Sequence, residues 1–416
     1  MKILLSCFAC EPGQGSEEGV GWNVAVQSAR YNEVWVVTRK FCQPPIEAEL
    51  QRNPIPNLHF IYVEPFNWQE NFKGRQGGLQ LHYYLWQVLA YRATKKLHVK
   101  LKFDVARHVT YVKFWSPSLV CLLPVPFIWG PIGGGEAAPK PFWQDFSFKA
   151  KLYETARDIA QRLGEIDPFT RLTARRSVFT PVTTEDTAKR VRPMGAKNIQ
   201  LYSEGGLSKE TISQLGEYKL PDSEPIRFIS MGRLLHWKGY HLAVRAFAAA
   251  NLANAEYWVL GNGPERERLE EMARELGAAD RIKFWGRVPR SETLQKLGQS
   301  HVLIHPSLHD SGGWTCLEGM AAGRPIVCLA LGGPDTQVTE ATGIKIPALD
   351  PDKAVRDMAA ALTRLAVDGE LRSRLGEGGR QRVREVYDWD VKGEFFAQLY
   401  EKVAKRELST IRPISS

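Results

Sequence analysis

Residues 301–329 read HVLIHPSLHDSGGWTCLEGMAAGRPIVCL, and the order of features along them sets the fold. A short apolar run ends at Pro306. A polar loop follows with Asp310 and the pair Gly312–Gly313, then a helix-like run, a Gly-Arg-Pro stop and a second apolar run. Two β-rich runs joined by a helix are parallel neighbours, because a parallel pair needs a crossover of a dozen or more residues. Glu318 stands inside the helical run among Leu, Met and Ala. A carboxylate there is costly without a partner.

The same alternation extends in both directions. Strands are predicted at KILLS, EVWVVT, LHFIYV, PFIWG, IRFISM, EYWVL, RIKFWG, HVLIHP and PIVCL. Helical patterns such as GWNVAVQSAR, LAVRAFAAA and ERERLEEMARELG separate many of them. The class is therefore α/β, with parallel sheets covered by helices on both faces. The pattern restarts after a polar, proline-containing stretch near 203–225, which divides the chain into two doubly wound domains, 1–203 and 204–386. A last helical segment, 387–416, is expected to cross back to the first domain. Ligands of such sheets bind outside the carboxyl ends of the strands, so two domains facing each other would form an interdomain cleft.

The 416 residues are 44% apolar and 24% charged, a balance that buries a large core without disulfides. Residues 1–200 hold 26 Lys and Arg against 17 Asp and Glu, whereas the rest holds 29 of each. The excess of +9 thus lies in the first half, which implies an anionic partner there: a phosphorylated acceptor, a membrane face or nucleic acid. Cys7 and Cys10 have C-x-x-C spacing, but no second pair completes a zinc site, and a reduced, semi-buried pair is expected. MKILLSCFAC reads as a first strand rather than a signal peptide. FWSPSLVCLLPVPFIWG is cut by Pro117, Pro124 and Pro126 and is too short to span a bilayer. A cytoplasmic chain is expected, with possible peripheral contact with the inner face of the plasma membrane.

Several stretches carry chemistry. In FISMGRLLHWKGYHLAVRAF, Arg233 falls just past a strand and Lys238 near the next helix N-terminus, a pairing suited to a diphosphate. In VLGNGPERERLE, Gly261 and Gly263 let backbone approach a ligand, and the absence of Gly-Lys-Ser/Thr excludes a Walker loop. Gly312 and Gly313 are expected to bare the amides that open the next helix, with those of Trp314 and Thr315 directed at an anion. Glu318, one turn on, suits vicinal hydroxyls such as those of a ribose, and Asp310 suits sugar hydroxyls. His301, His305 and His309 recur every fourth residue, but on a strand they stand about 13 Å apart, too far to share a metal. LQLHYYLWQVLAYRATKKLHVK is aromatic and basic; its aromatics are expected in the core and its basic end in solvent, with lipid contact as the alternative.

These motifs together resemble the family 4 (group 1) retaining glycosyltransferases, nucleotide-sugar enzymes with the two-Rossmann GT-B fold. The family's E-x7-E signature corresponds to Asp310-x7-Glu318, with Asp one methylene shorter than the usual Glu. The resemblance implies that Gly232, Arg233 and Lys238 hold the donor diphosphate, that Gly261 and Asn262 of GNGP and Arg287 and Val288 of GRV line the pyrophosphate and base, and that Glu318 holds the ribose. It places Asp310 and His108 of FDVARHVTY by the donor sugar. Gly15–Ser16 of ACEPGQGSEEGVGWN stands where the family often has Gly-Gly; this loop's spacing is one residue longer than the dinucleotide fingerprint. WGPIGGGE is read as a flexible cleft wall. With HDSGGW, these loops are similar to the subgroup associated with bacterial exopolysaccharide assembly.

The expected function is transfer of a sugar from a UDP- or GDP-type donor to a saccharide or lipid-linked acceptor. Arg233, Lys238, Asp310 and His108 are the expected catalytic set, with no metal and no other cofactor. A sugar-nucleotide epimerase, a phosphorylase and a nucleic-acid-binding protein are the alternatives. The dispersed basic residues and the lack of a recognition module count against nucleic acid.

Overall fold

The computed structural model describes residues 1–65, 79–222 and 224–411. They form two compact units. The first comprises Met1–Gly135, Arg157–Glu204 and the C-terminal stretch from Trp389; the second comprises Glu136–Ala156 and Gly205–Asp388.

The first unit holds, among the described residues, seven strands: β1 (Lys2–Cys7), β2 (Glu33–Arg39), β3 (Leu58–Val63), β4 (Val105–Thr110), β5 (Phe127–Trp129), β6 (Ser177–Val182) and β7 (Ile199–Leu201). All pair in parallel, in the order β3-β2-β1-β4-β5-β6-β7. Ile3, Leu4 and Leu5 are fully buried in succession, as expected where helices cover both faces of a parallel sheet. The helix Leu79–Leu101 buries Tyr83, Trp86 and Ala90, which places these aromatics in the core. The C-terminal helix, Trp389–Lys405, lies in this unit and buries Phe396, Leu399, Tyr400 and Val403. Its Tyr400 hydroxyl is 3.2 Å from Ser28 Oγ and accepts from Arg107 Nη1 at 3.0 Å. The buried Arg107 also donates to the Gly130 carbonyl at 3.1 Å and lies 4.4 Å over the Phe396 ring. Lys392, buried on the same helix, donates to the Ser203 carbonyl at 2.7 Å. Burial, with help from the Arg107 charge, lowers its pKa to about 7.

The second unit holds, among the described residues, β8 (Ile226–Met231), β9 (Ala255–Leu260), β10 (Ile282–Gly286), β11 (Val302–His305), β12 (Ile326–Leu329) and β13 (Gly343–Ile346). Their order is β10-β9-β8-β11-β12-β13, again all parallel. Two apolar layers sandwich this sheet. Phe228, Tyr257 and Ile304 enter one; Ile229, Trp258 and Leu303 enter the other. Alternate residues of one strand thus serve opposite layers, which makes these strands mostly apolar on both faces.

Two parallel α/β units are the expected architecture, but their sequence limits differ from the expected ones. The divisions fall at Glu204/Gly205 and Asp388/Trp389, and residues 136–156 go with the second unit. The physical reason is Phe142 and Phe146, which are buried in the same cluster as Tyr240, Ala243 and Phe247. Ser177–Val182 and Gly343–Ile346 are strands that the sequence reading does not single out. All six cysteines are free and buried, Cys7 and Cys10 fully rather than partly.

Tyr400→Phe removes the acceptor of a buried guanidinium. It is expected to lower the stability of the first unit by about 1–3 kcal/mol, read as a lower denaturant midpoint. An unchanged midpoint would show that the hydroxyl does nothing for Arg107.

Candidate functional site

In the second unit the strand order reverses between β8 and β11. Crossovers on either side of that point lead to opposite faces of the sheet, and the carboxyl ends open onto a crevice. A cavity of about 710 Å³ lies there. Met231, Gly232 and Arg233 line it from the end of β8, Leu260, Gly261 and Asn262 from β9, and Arg287, Val288, Arg290 and Thr293 from the region after β10. Thr315 and Glu318 line it from the helix Trp314–Ala321 that follows β11.

The backbone here is packed closely. Gly261 has φ +130°, and a Cβ on it would lie 1.8 Å from the Gly232 carbonyl oxygen, so no side chain fits. Gly313, φ +53°, starts the Trp314–Ala321 helix. A Cβ there would meet the Gln337 side chain at 2.1 Å.

The charges fall into two groups. Arg233 and Arg287 are exposed on the cavity wall, and among the described residues neither pairs with a carboxylate. Glu318 is buried, and its Oε1 accepts from Arg290 Nη2 at 2.5 Å. That arginine is the partner a carboxylate requires in an apolar helix. The second acid is held differently. Asp310 Oδ2 accepts from Lys238 Nζ at 2.5 Å and lies 3.2 Å from His305 Nε2, while Oδ1 accepts from the amides of Gly312 and Gly313, each at 3.3 Å. Burial alone would raise its pKa; the Lys238 charge and the His305 hydrogen bond outweigh it and hold the carboxyl well below the usual range. Beside this loop, Ser311 Oγ donates to the buried Glu136 at 2.5 Å.

The structure therefore gathers Gly232, Arg233, Gly261, Asn262, Arg287, Val288, Thr315 and Glu318 around one cavity. Lys238, Asp310, Gly312, Gly313 and Trp314 are not part of its lining. Lys238 is drawn to Asp310, and the glycine amides, expected bare, are taken by the same carboxylate. Asp310 is thus held by four protein donors. His108 belongs to the first unit, on β4. It is fully buried, with Nε2 2.9 Å from Tyr83 Oη and Nδ1 3.0 Å from Ser6 Oγ, and burial lowers its pKa to about 3. Both nitrogens of this core histidine are thus engaged within the first unit, and burial favours its neutral form. Gly15 and Ser16 are exposed at the start of the helix Ser16–Ala29 in the first unit. Ser16 has φ +60°, a conformation that glycine adopts at lower cost. In WGPIGGGE, Gly133 and Gly135 are buried. His301 Nδ1 accepts from the Arg227 amide at 2.9 Å, and among the described residues no three His, Cys, Asp or Glu cluster as metal ligands. Sequence reasoning missed Arg290 and Thr293. The rule that selected Arg233, a cation just past a strand end, also selects Arg290 once applied beyond β10.

Comparison with known proteins adds identity to this geometry. Residues 216–382 match the family model described as glycosyl transferases group 1. A lipopolysaccharide core biosynthesis glycosyltransferase of Rhizobium meliloti is 29% identical over 225 residues, which cover 54% of this chain and 64% of the relative, just under two thirds of its length. Two solved structures share the fold. Sucrose-phosphate synthase from Thermosynechococcus elongatus matches with a TM-score of 0.63 and 19% identity over 97% of this chain and 99% of its own. Anabaena Alr3699/HepE, solved in complex with UDP and glucose, matches with 0.60 and 14% identity over 97% and 100%. The two Rossmann-like units are thus those of the GT-B fold.

Asp310→Asn leaves Lys238 without its counter-charge and is expected to cost about 2–4 kcal/mol near neutral pH. A depressed carboxyl pKa contributes stability that is fully present above the unfolded value of about 3.9. That contribution is lost as pH falls through the native value. The difference between the two proteins should therefore be flat from pH 8 to about 5 and shrink below about 4. Denaturant midpoints measured across pH check this, and a difference that already shrinks between pH 7 and 5 would contradict it.

Proposed function

We propose that this chain, which belongs to the group 1 glycosyl transferases through residues 216–382, transfers a sugar from a nucleotide diphosphate sugar to a saccharide or lipid-linked acceptor. The reaction serves assembly of a cell-surface polysaccharide, at the inner face of the plasma membrane. One observation carries the donor reading. Arg233 and Arg287, free of carboxylate partners among the described residues, line the same cavity as the buried Glu318. Two cations beside an acceptor-only group match a diphosphate attached to a pair of ribose hydroxyls.

As the bond between the anomeric carbon and the diphosphate oxygen breaks, negative charge grows on the leaving group. Arg233 and Arg287 meet that charge most strongly in the transition state, which is where binding raises the rate. Glu318 exchanges its Arg290 hydrogen bond for the ribose. Asp310 holds Lys238 in place as a positioning residue. The acceptor hydroxyl attacks the face from which the diphosphate leaves, and its proton passes to the departing phosphate oxygen; configuration is retained without a covalent enzyme intermediate. Fixed arginines neutralise the diphosphate, so turnover requires no divalent metal.

A thermal-shift panel of UDP, GDP and ADP with their sugar derivatives should give a selective rise for one base. With that donor, Arg233→Ala and Arg287→Ala are each expected to lower turnover about 100-fold with little change in melting temperature. Chelator should leave the wild-type rate unchanged. Near-normal transfer by both variants removes their role; activity restored only by added Mg²⁺ or Mn²⁺ removes the metal-free reading.

A further inference from the structure

The helix Phe148–Ile166 is built inside out. Phe148, Leu152, Ile159, Leu163 and Ile166 are each between 54% and 81% exposed. At 3.6 residues per turn these five fall within roughly 60° of arc, one stripe along one helix. The opposite side, turned into the protein, carries Ala150, Glu154 and Gln161, all buried. A helix at the surface of a soluble domain normally does the reverse, so the stripe is left for an outside partner.

Charge selects that partner. Lys151 and Arg162 border the stripe on one side and Lys149 on the other, by the same helical spacing. Among the described residues none of the three pairs with a carboxylate. The acids nearby are engaged within the protein: Glu165 with Arg190 at 2.7 Å, Glu154 with His236 and His309 at 2.9 and 3.2 Å. Asp167 accepts from the Thr170 amide at 2.7 Å, and Asp158 also has a partner. What faces outward is a stripe of large apolar side chains edged by cations, the pattern of a helix that lies in a bilayer interface. No helix among the described residues is long and apolar enough to cross a membrane.

We propose that this stripe seats the protein on an anionic lipid surface, with Leu163 and Ile166 among the side chains that enter the acyl boundary and Lys149, Lys151 and Arg162 against the headgroups. The inference names the surface behind the membrane-side acceptor proposed above and rests on that reading for its purpose, not for its geometry.

The full chain, without donor, is sedimented with vesicles of phosphatidylcholine alone or with about 30% phosphatidylglycerol. Binding at low salt should be at least tenfold stronger to the anionic vesicles and should fall as salt rises. Leu163→Glu/Ile166→Glu should lose tenfold or more of it while keeping the nucleotide-induced thermal shift. Lys149→Glu/Arg162→Glu should abolish the preference for anionic lipid. Equal sedimentation of wild type and the Leu163/Ile166 variant overturns the proposal. So does a wild-type dimer in solution that the same variant dissolves, since a second copy would then cover the stripe. Vesicle binding as expected with no nucleotide shift in the wild type would instead sink the donor reading and leave this one standing.

Discussion

The candidate donor site depends on parallel strands ending side by side with nothing between their terminal backbones. β8 and β9 run in register to Met231 and Leu260, and the next residues, Gly232 and Gly261, meet so closely that a single methyl group on Gly261 cannot be placed. That contact keeps the end of the sheet flush, so Arg233, Asn262 and Arg287 emerge around one cavity. A cation on a long side chain reaches a ligand from many backbones. Two cations and a carboxylate around one diphosphate nucleoside need those backbones fixed first.

Two acid–base pairs border this region, and burial separates their roles. The Arg290 side chain is mostly exposed, whereas the Glu318 carboxylate it pairs with is buried. Lys238 and Asp310 are both largely buried, and breaking such a pair leaves a charge with poor solvation. The first pair keeps one partner in solvent. The second is part of the frame.

The sequence displays the strands and the helices between them, because a parallel sheet buried on both faces leaves short, mostly apolar β-rich runs separated by helical patterns. It also displays the cations and glycines past the strand ends, since their position follows from the strand itself. Other features depend on distant neighbours. Phe142 and Phe146 are apolar whichever unit they serve, and only packing assigns them to the second. His108 reads from the sequence as the end of a strand, but it lies inside β4, and Tyr83 and Ser6 take its nitrogens from elements that are far away in the chain. The Phe148–Ile166 stripe has the spacing of an ordinary core face. Periodicity gives the angle of a stripe but not its direction, and here the apolar side points out.

The replacement of glutamate by aspartate at 310 has a physical sense in this setting. A side chain one methylene shorter stays near its own loop, where the amides of Gly312 and Gly313 are within reach of Oδ1 and Lys238 and His305 within reach of Oδ2. Those four donors occupy most of what a carboxylate can accept. A longer side chain would carry its oxygens past the amides and toward whatever lies beyond the loop. The acid at 310 therefore trades reach for fixation: it closes the glycine turn, aims Lys238 and keeps a charge ionised where burial alone would neutralise it. The two acids, eight residues apart, are thus held in different ways: Glu318 by one mostly exposed arginine, Asp310 by four donors around its own loop.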